Sequence, residues 1–280
     1  MKYILLFSLF FLLHTGLNAQ TETAYVKDTL KNSKENSNNI ELTTSYTVHS
    51  SYAGRDNGFN YNYIYPTITY YHKSGFSLSG TVYYLTGKGN KLSFDGGDIG
   101  VGFEYVFSHV FTGSIGYSHS FFADSSKQAK SVTPDSFNGG LSASFGGFNF
   151  ELNADIDIGT KSEYIINFIP SYQFELGPIF NDDDLSIEPA FLFIWGSQND
   201  ALTRLRRQKA KANGIPLSTA KQSGYSFGIL SYEPTLSVNY ENGIFTLKPT
   251  LSYVIPQNVN DQSNTNGFIN LNIDFSITIN

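Results

Sequence analysis

Cysteine is absent from the 280-residue chain, and methionine and tryptophan occur once each. Without cysteine there is neither a disulfide framework nor a thiolate metal site. Beyond the N terminus there is no apolar run long enough to cross a bilayer as a helix. The formal net charge of −6 disfavours a nucleic-acid partner, which requires a basic face. The Gly-rich stretch 95–100 precedes no helix, so we predict no phosphate-binding loop and no cofactor or metal.

The first residues are typical of a secretory signal. Lys2 precedes an apolar run over 3–13, and small and polar residues lead to Ala19. A basic start, a short apolar segment and small residues before the cleavage point define such signals. We therefore predict a signal peptide at 1–19. The polar stretch that follows predicts a disordered periplasmic leader at 20–39, ahead of a single folded domain at 40–280.

The aromatic and glycine content favours β-strands. The chain has 24 Phe, 19 Tyr and 25 Gly, and aromatic residues are enriched in strands. Apolar and polar residues alternate with a period of two in twelve runs. The runs are 40–52, 60–72, 76–86, 95–107, 110–122, 136–145, 148–159, 163–176, 185–196, 225–240, 244–256 and 267–280. A strand needs roughly 9–11 residues to cross a bilayer, and most of these runs are long enough.

The connections between the runs alternate in length. Short ones lie at 73–74, 108–109, 146–147, 177–184 and 242–243, and most of the others are longer and polar. Short turns on one side and long loops on the other are typical of transmembrane barrels. Aromatic residues beside the short turns predict a girdle at one membrane interface. We predict an all-β, closed antiparallel transmembrane barrel of about twelve strands, with its short turns in the periplasm. The alternative, a soluble sandwich, is disfavoured by the strand lengths.

Three segments resemble Gram-negative outer-membrane β-barrel proteins. They are the signal ending Leu-Asn-Ala-Gln, the stretch Tyr-Tyr-His-Lys-Ser-Gly-Phe at 70–76, and the terminal strand Asn-Ile-Asp-Phe-Ser-Ile-Thr-Ile-Asn at 272–280. The resemblance covers about 40–280 and implies the barrel architecture and a location in the cell outer membrane. It says little about function.

Five prolines occur within predicted strands, all in the apolar, lipid-facing phase and at similar distances from the short turns. They are Pro66, Pro170, Pro189, Pro234 and Pro249. Proline removes a ladder donor, and an unpaired backbone group is costly in hydrocarbon. We expect a shared bulge or bend that curves the wall and admits lumen water. The alternative is a loosened wall that serves a partner or a lateral exit.

Acids dominate the polar phase that is predicted to face the lumen. They are Glu104, Glu151, Asp155, Asp157, Glu175, Glu188, Glu233 and Asp274. Lys248 is the one clear base in that phase. Such charges can simply solvate the inner wall, or they can make the lumen favour cations. Glu188, Glu233 and Lys248 each lie one residue before a proline on three adjacent predicted strands, where a local ion-pair network is the alternative role for them.

The insert 197–224 contains the one helical pattern, a short helix predicted in an extracellular loop. It is strongly basic through Arg204, Arg206, Arg207, Lys209 and Lys211. Three roles remain open for this helix. It is a solvated loop, it contacts lipopolysaccharide phosphates, or it docks inward against the acids. Outer-membrane lipid, lipopolysaccharide and other outer-membrane proteins are therefore the expected partners.

Catalytic and calcium-binding patterns are weak. The acidic stretch 181–184 matches no calcium loop and predicts a polar turn. Barrel lipid hydrolases use a His and a Ser two residues apart on one lipid-facing strand. His49 and Ser51 have that spacing but fall in the inward phase, and His119 has Phe121 at the matching place. We therefore predict no catalytic residues and keep a hydrolase as a remote alternative.

Two functions follow from this reading. The first is a small, porin-like channel for ions or small polar solutes. The second is a non-catalytic structural subunit of a larger outer-membrane complex for secretion, assembly or uptake. A twelve-stranded bore lies between filled eight-stranded barrels and sixteen-stranded porins, so strand count does not decide between them.

Overall fold

The computed structural model describes residues 37–48, 51–52, 55–56, 62–86, 92–124, 126, 134–158, 162–180, 183–197, 227–257 and 267–280. The predicted signal peptide, nearly all of the predicted leader and the predicted basic helix lie outside these residues.

Twelve strands form one closed antiparallel barrel, as predicted. They are β1 Asn39–Val48, β2 Asn62–Tyr71, β3 Phe76–Thr86, β4 Leu92–Val106, β5 Phe111–Phe122, β6 Asp135–Phe145, β7 Phe148–Ile158, β8 Glu163–Tyr172, β9 Asp183–Ser197, β10 Phe227–Asn242, β11 Phe245–Pro256 and β12 Phe268–Ile279. Every strand pairs with its neighbours in sequence, and β1 pairs with β12 to close the ring. Closure removes the sheet edges, which is a requirement for backbone in hydrocarbon.

Two predicted strands are shorter than expected. The run 40–52 ends as a barrel strand at Val48, and Ser51–Tyr52 pairs instead with Arg55–Asp56 in a separate small hairpin. The run 163–176 is interrupted after Tyr172, and a short strand, Phe174–Glu175, continues the pairing with β9. Alternation alone places a strand, but backbone hydrogen bonding decides where it ends.

The outer surface of the barrel is apolar. On β4, for example, Ile99, Val101 and Phe103 are 56%, 43% and 41% exposed, while the intervening Gly100 is buried. Apolar side chains this exposed are stable where lipid is the solvent, and they form the outward band expected of a transmembrane barrel. No helix among the described residues is long and apolar enough to span a membrane.

The short turns depend on glycine at two places. Gly146 and Gly147 connect β6 to β7 with φ of 57° and 84°, the left-handed values that a two-residue hairpin requires. Gly75 precedes β3 with φ of 92°, and a Cβ there would collide with the backbone oxygen of Glu104. Aromatic rings flank these turns, including Phe145 and Phe148 with centroids 6.4 Å apart. They form the interfacial girdle at this end of the barrel.

Candidate functional site: the acidic inner wall

The inner face of the barrel carries the polar phase of every strand, and the predicted acids lie on it. Glu151, Asp155 and Glu233 are buried on this face, at 8%, 7% and 7% exposure. Glu104, Asp157, Glu188 and Asp274 share the same phase and are partly buried. Glu175 differs, because it is exposed on the short strand beyond β8, at the short-turn mouth. That these acids line a conduction path stays a prediction.

Further acids on this face were not singled out from the sequence. They are Glu41 on β1, Asp95 and Asp98 on β4, Glu163 on β8 and Glu241 on β10. Glu41 alternates with the outward Ile40 and Leu42, which are each 40% exposed. The same period-two reading that found the other acids therefore could have found Glu41.

Lys248 lies at the centre of a buried ionic cluster. Its Nζ is 3.6 Å from Oε2 of Glu188, and the two side chains are only 5% and 13% exposed. Lys248 is also paired directly with Asp274 across the β11–β12 ladder. From β11 the lysine therefore contacts the Glu188 carboxylate on β9 and lies beside Asp274 of β12 in the ladder. Apart from Lys73 in an exposed turn, it is the only lysine or arginine whose side chain the structure describes.

Hydrogen bonds extend this ionic cluster along the wall in both directions. Ser171 Oγ donates to Glu188 Oε1 at 2.7 Å, and Asn149 Nδ2 donates to the same oxygen at 3.5 Å. On the other side Asn272 Nδ2 donates to Asp274 Oδ2 at 2.7 Å, and Thr47 Oγ1 donates to Asn272 Oδ1 at 2.7 Å. The result is a polar belt that reaches from β7 to β1.

The wall opposite this belt, formed by β3 to β6, carries small inward side chains. Ser77 and Ser79 lie against Gly102 and Gly100, where an added Cβ would be 2.7 Å from each serine Oγ. Small residues continue along β5 and β6 in the same phase, including Thr112, Ser114, Gly116, Ser118, Gly140, Ser142 and Ser144. Larger inward side chains are interspersed with these small ones, namely Tyr83 on β3, Asp95, Asp98 and Glu104 on β4, and Asn138 on β6.

Large side chains narrow the loop end of the barrel. Tyr63 and Tyr65 stack with ring centroids 5.4 Å apart, Tyr65 meets Tyr83 edge-on at 5.5 Å, and the Tyr83 hydroxyl donates to Asp98. Ile165, Ile194 and Leu230 form a small apolar cluster inside the other wall.

Burial of the inner face is nearly complete in places. Thr47, Ser231 and Val254 have no exposed area. At these positions the interior is closely packed, unlike the wide water-filled bore of large porins.

The prolines interrupt ladders without shifting their register. Pro66 pairs with Thr44 on β1, but the β2–β3 pairing is missing opposite it. Pro234 pairs with Phe191 on β9, whereas the β10–β11 pairing is missing at its position.

The other three prolines show the same one-sided loss. Pro170 and Pro189 interrupt the β8–β9 pairing, and Pro249 interrupts the β10–β11 pairing. The β8–β9 and β10–β11 ladders are each interrupted at two prolines, and they flank the β9–β10 ladder, which no proline interrupts.

The expected shared bulge at the prolines is wrong, whereas the expected bend of the wall stays a prediction. The register shifts lie elsewhere, at Tyr83/Tyr84 in the β3–β4 ladder and at Ile194/Trp195 in the β9–β10 ladder. A proline removes one donor but adds no residue, so neighbouring pairs keep their register.

Several predicted sites lie outside the described residues. They are the basic residues Arg204, Arg206, Arg207, Lys209 and Lys211, the first half of the acidic stretch 181–184, and His49. The side chain of Ser51 is also outside them. Within the described part of the chain, no group of three or more His, Asp or Glu side chains comes together as a metal site.

The closed barrel, its apolar outer band and its polar interior define the class of protein. The chain is a transmembrane β-barrel. No protein-family model and no curated protein matches it.

Several solved structures of outer-membrane barrels are similar in fold. The KdgM porin is 11% identical with a TM-score of 0.46, covering 86% of this chain and 99% of the porin. The NanC porin is 12% identical with a TM-score of 0.47, covering 85% and 98%. An outer membrane channel from Pseudomonas putida F1 is 9% identical with a TM-score of 0.47, covering 86% and 95%. At such low identity, function has to be argued from the inner face of this chain.

Proposed function

We propose that the barrel is a narrow, non-catalytic, porin-like channel for ions and small polar solutes, with a preference for cations. The acidic inner wall is the observation that carries this proposal. Carboxylates project inward from β1, β4, β7, β8, β9, β10 and β12, and Lys248 is the one described inward base. Acid-lined constrictions favour cations because the negative potential lowers the energy of a positive ion inside the pore.

The close packing of the wall limits the size of the solute. Inner-face atoms that are buried to within a few per cent leave no wide bore, so the permeant species are expected to be small and partly dehydrated. The belt from Asn149 to Thr47 supplies hydroxyl, amide and carboxylate oxygens that can replace lost water ligands.

The interrupted ladders favour a second candidate function. In the β8–β9 and β10–β11 ladders, backbone groups near the prolines lack their pairing partners. Such groups are costly in lipid, and a partner packed against this wall would shield them. A non-catalytic subunit of a larger outer-membrane assembly would use this wall as its contact surface.

Cysteine accessibility separates the two functions, because the chain contains no native cysteine. Asn153 is 3% exposed on the inner face and lies between Glu151 and Asp155. An Asn153→Cys variant keeps all the wall acids. In planar bilayers its current should fall on treatment with thiol reagents. A cationic reagent should react about tenfold faster than an anionic reagent of the same size, because the acids concentrate cations.

Ala154→Cys is the matched control, since Ala154 is the next residue on β7 and faces outward. Neither reagent should change the current of this variant. Equal reaction rates of Asn153→Cys with the two reagents would refute the cation preference. The absence of any current from a folded barrel would refute the channel and leave the subunit function.

A further inference from the structure

A cluster of polar side chains lies on the lipid-facing side of the barrel, where the surrounding residues are apolar. Tyr117 and His119 are on the outward phase of β5, and Asp135 begins β6 directly opposite His119. Their neighbours on the adjoining strands are Ile99, paired with His119, and Ile158, paired with Asp135. Both isoleucines are strongly exposed.

The three polar side chains are held in a fixed arrangement. Tyr117 Oη donates to Asp135 Oδ1 at 2.5 Å, and His119 Nδ1 lies 2.9 Å from the same oxygen. Both contacts use Oδ1, so the second carboxylate oxygen, Oδ2, is available. Because Nδ1 is directed at Asp135, the other imidazole nitrogen, Nε2, points away from the pair. The side chains of His119 and Asp135 are 49% and 35% exposed.

The position along the barrel axis places this cluster near the loop end, which is the outer-leaflet side of the membrane in the predicted orientation with the short turns in the periplasm. β5 leaves the short turn at Phe111 and ends at Phe122, so His119 is near the loop end, and Asp135 is the first residue of its strand. Ionised side chains on the lipid face are destabilising at mid-membrane, but the cost falls toward the interface. An exposed His–Asp pair is therefore stable here if polar lipid headgroups surround it.

The chemistry of the exposed atoms indicates which headgroup fits. A free carboxylate oxygen accepts hydrogen bonds and repels phosphate, whereas imidazole Nε2 donates or accepts according to its protonation state. Neighbouring hydroxyl groups of a sugar satisfy both atoms. The adjacent rings of Tyr117 and Phe137, with centroids 5.0 Å apart, offer an apolar surface beside them. A serine nucleophile two residues along the outward face is missing, since that place is Phe121.

We propose that Tyr117, His119 and Asp135 form a binding site for the saccharide headgroup of an outer-leaflet glycolipid. His119 and Asp135 contact the sugar hydroxyls, and Tyr117 positions Asp135. The site lies on the outside of the barrel, so it is independent of conduction through the lumen.

The test is a lipid titration of the purified full-length protein by native mass spectrometry. The probes are a neutral monoglucosyl diacylglycerol and phosphatidylglycerol. The wild type should bind the neutral glycolipid and prefer it to phosphatidylglycerol. His119→Phe and Asp135→Asn should each weaken glycolipid binding about tenfold, which corresponds to about 1.4 kcal/mol. His109→Phe is the control, because His109 is exposed in the turn before β5 at the opposite end, and it should bind as the wild type does.

Three outcomes would overturn the proposal. Unchanged glycolipid binding by both variants would remove the site. Equal binding of phosphatidylglycerol and the glycolipid would show that the sugar is not recognised. Release of fatty acid from the glycolipid, abolished by His119→Phe, would make the cluster catalytic instead of a binding site. Asp135→Asn is nearly isosteric, so it keeps the test valid if His119→Phe does not fold.

Discussion

Removing the ammonium group of Lys248 should destabilise the barrel more than almost any other single charge change. Lys248→Met keeps the length of the aliphatic chain but removes the positive charge that contacts Glu188 and lies beside Asp274 in the ladder. At 3.6 Å and an effective dielectric constant of about 20, the Lys248–Glu188 attraction is roughly 4–5 kcal/mol before desolvation. Loss of one partner of a buried pair costs about 3–5 kcal/mol.

We expect a loss of about 3 kcal/mol, at the lower end of that range, because Glu188 keeps its hydrogen bonds from Ser171 and Asn149. The measurement is urea unfolding of the barrel in lipid bilayers, read as the free energy of unfolding. The double variant Lys248→Met/Glu188→Gln also removes one of the two carboxylates that have lost their positive neighbour. It should therefore recover about half of the lost free energy of unfolding. Lys73→Met, in an exposed turn, should change stability by less than about 0.5 kcal/mol.

Two results would refute this reasoning. If Lys248→Met unfolds within about 0.5 kcal/mol of the wild type, the cluster is solvated and its burial is not energetically important. If the double variant recovers nothing, the loss does not come from the uncompensated charge of Glu188.

Three further predictions concern the turns, the prolines and the orientation. Gly75→Ala should lower the free energy of unfolding clearly more than Gly177→Ala in the same unfolding assay. Both positions have positive φ, at 92° and 79°, but only a Cβ at Gly75 meets backbone. Equal losses of stability in the two variants would refute the close approach at Gly75. Pro234→Ala adds a backbone N–H donor toward β11 and should slow amide hydrogen exchange at Tyr253 and its neighbours about fivefold. That factor is the effect of one hydrogen bond of about 1 kcal/mol. Unchanged exchange there would mean that Pro234 does not cause the gap in the β10–β11 ladder. On intact cells a membrane-impermeant thiol reagent should label Asp124→Cys, beyond the loop end of β5, and not Lys73→Cys in a short turn; the reverse pattern would invert the barrel.

The sequence predicted the barrel because one physical signal repeats in every strand. Lipid outside and a polar interior impose a period of two, and the phase that assigned Phe150 and Asp155 to opposite faces of β7 holds in the structure. The short turns at 146–147 and 242–243 were visible through their glycines. Closure followed from the same signal, since a sheet in hydrocarbon cannot leave an edge unpaired.

Most contacts between strands were beyond the sequence because they depend on register. The shared place of Glu188 and Lys248 before prolines suggested an ion pair, but only the structure shows that Lys248 reaches Glu188 across the intervening strand β10. His119 illustrates the same point: its partner, Asp135, lies on the next strand beyond a loop, and only the β5–β6 register brings them together. The prolines were correctly seen as ladder defects, but a defect on one side of a strand leaves the register intact, which composition does not reveal.

The sign of the reversal potential is the most direct test of the central claim. The wild-type barrel is reconstituted in a planar bilayer with a tenfold KCl gradient, and the zero-current voltage is measured. The acidic inner wall predicts a reversal potential of the sign set by K⁺. This potential should shrink toward zero when Glu151 and Asp155 are replaced by Gln and Asn. The control variant Asp124→Asn, outside the barrel, should leave it unchanged. A potential of the sign set by Cl⁻, or one that is insensitive to Glu151 and Asp155, would contradict the account.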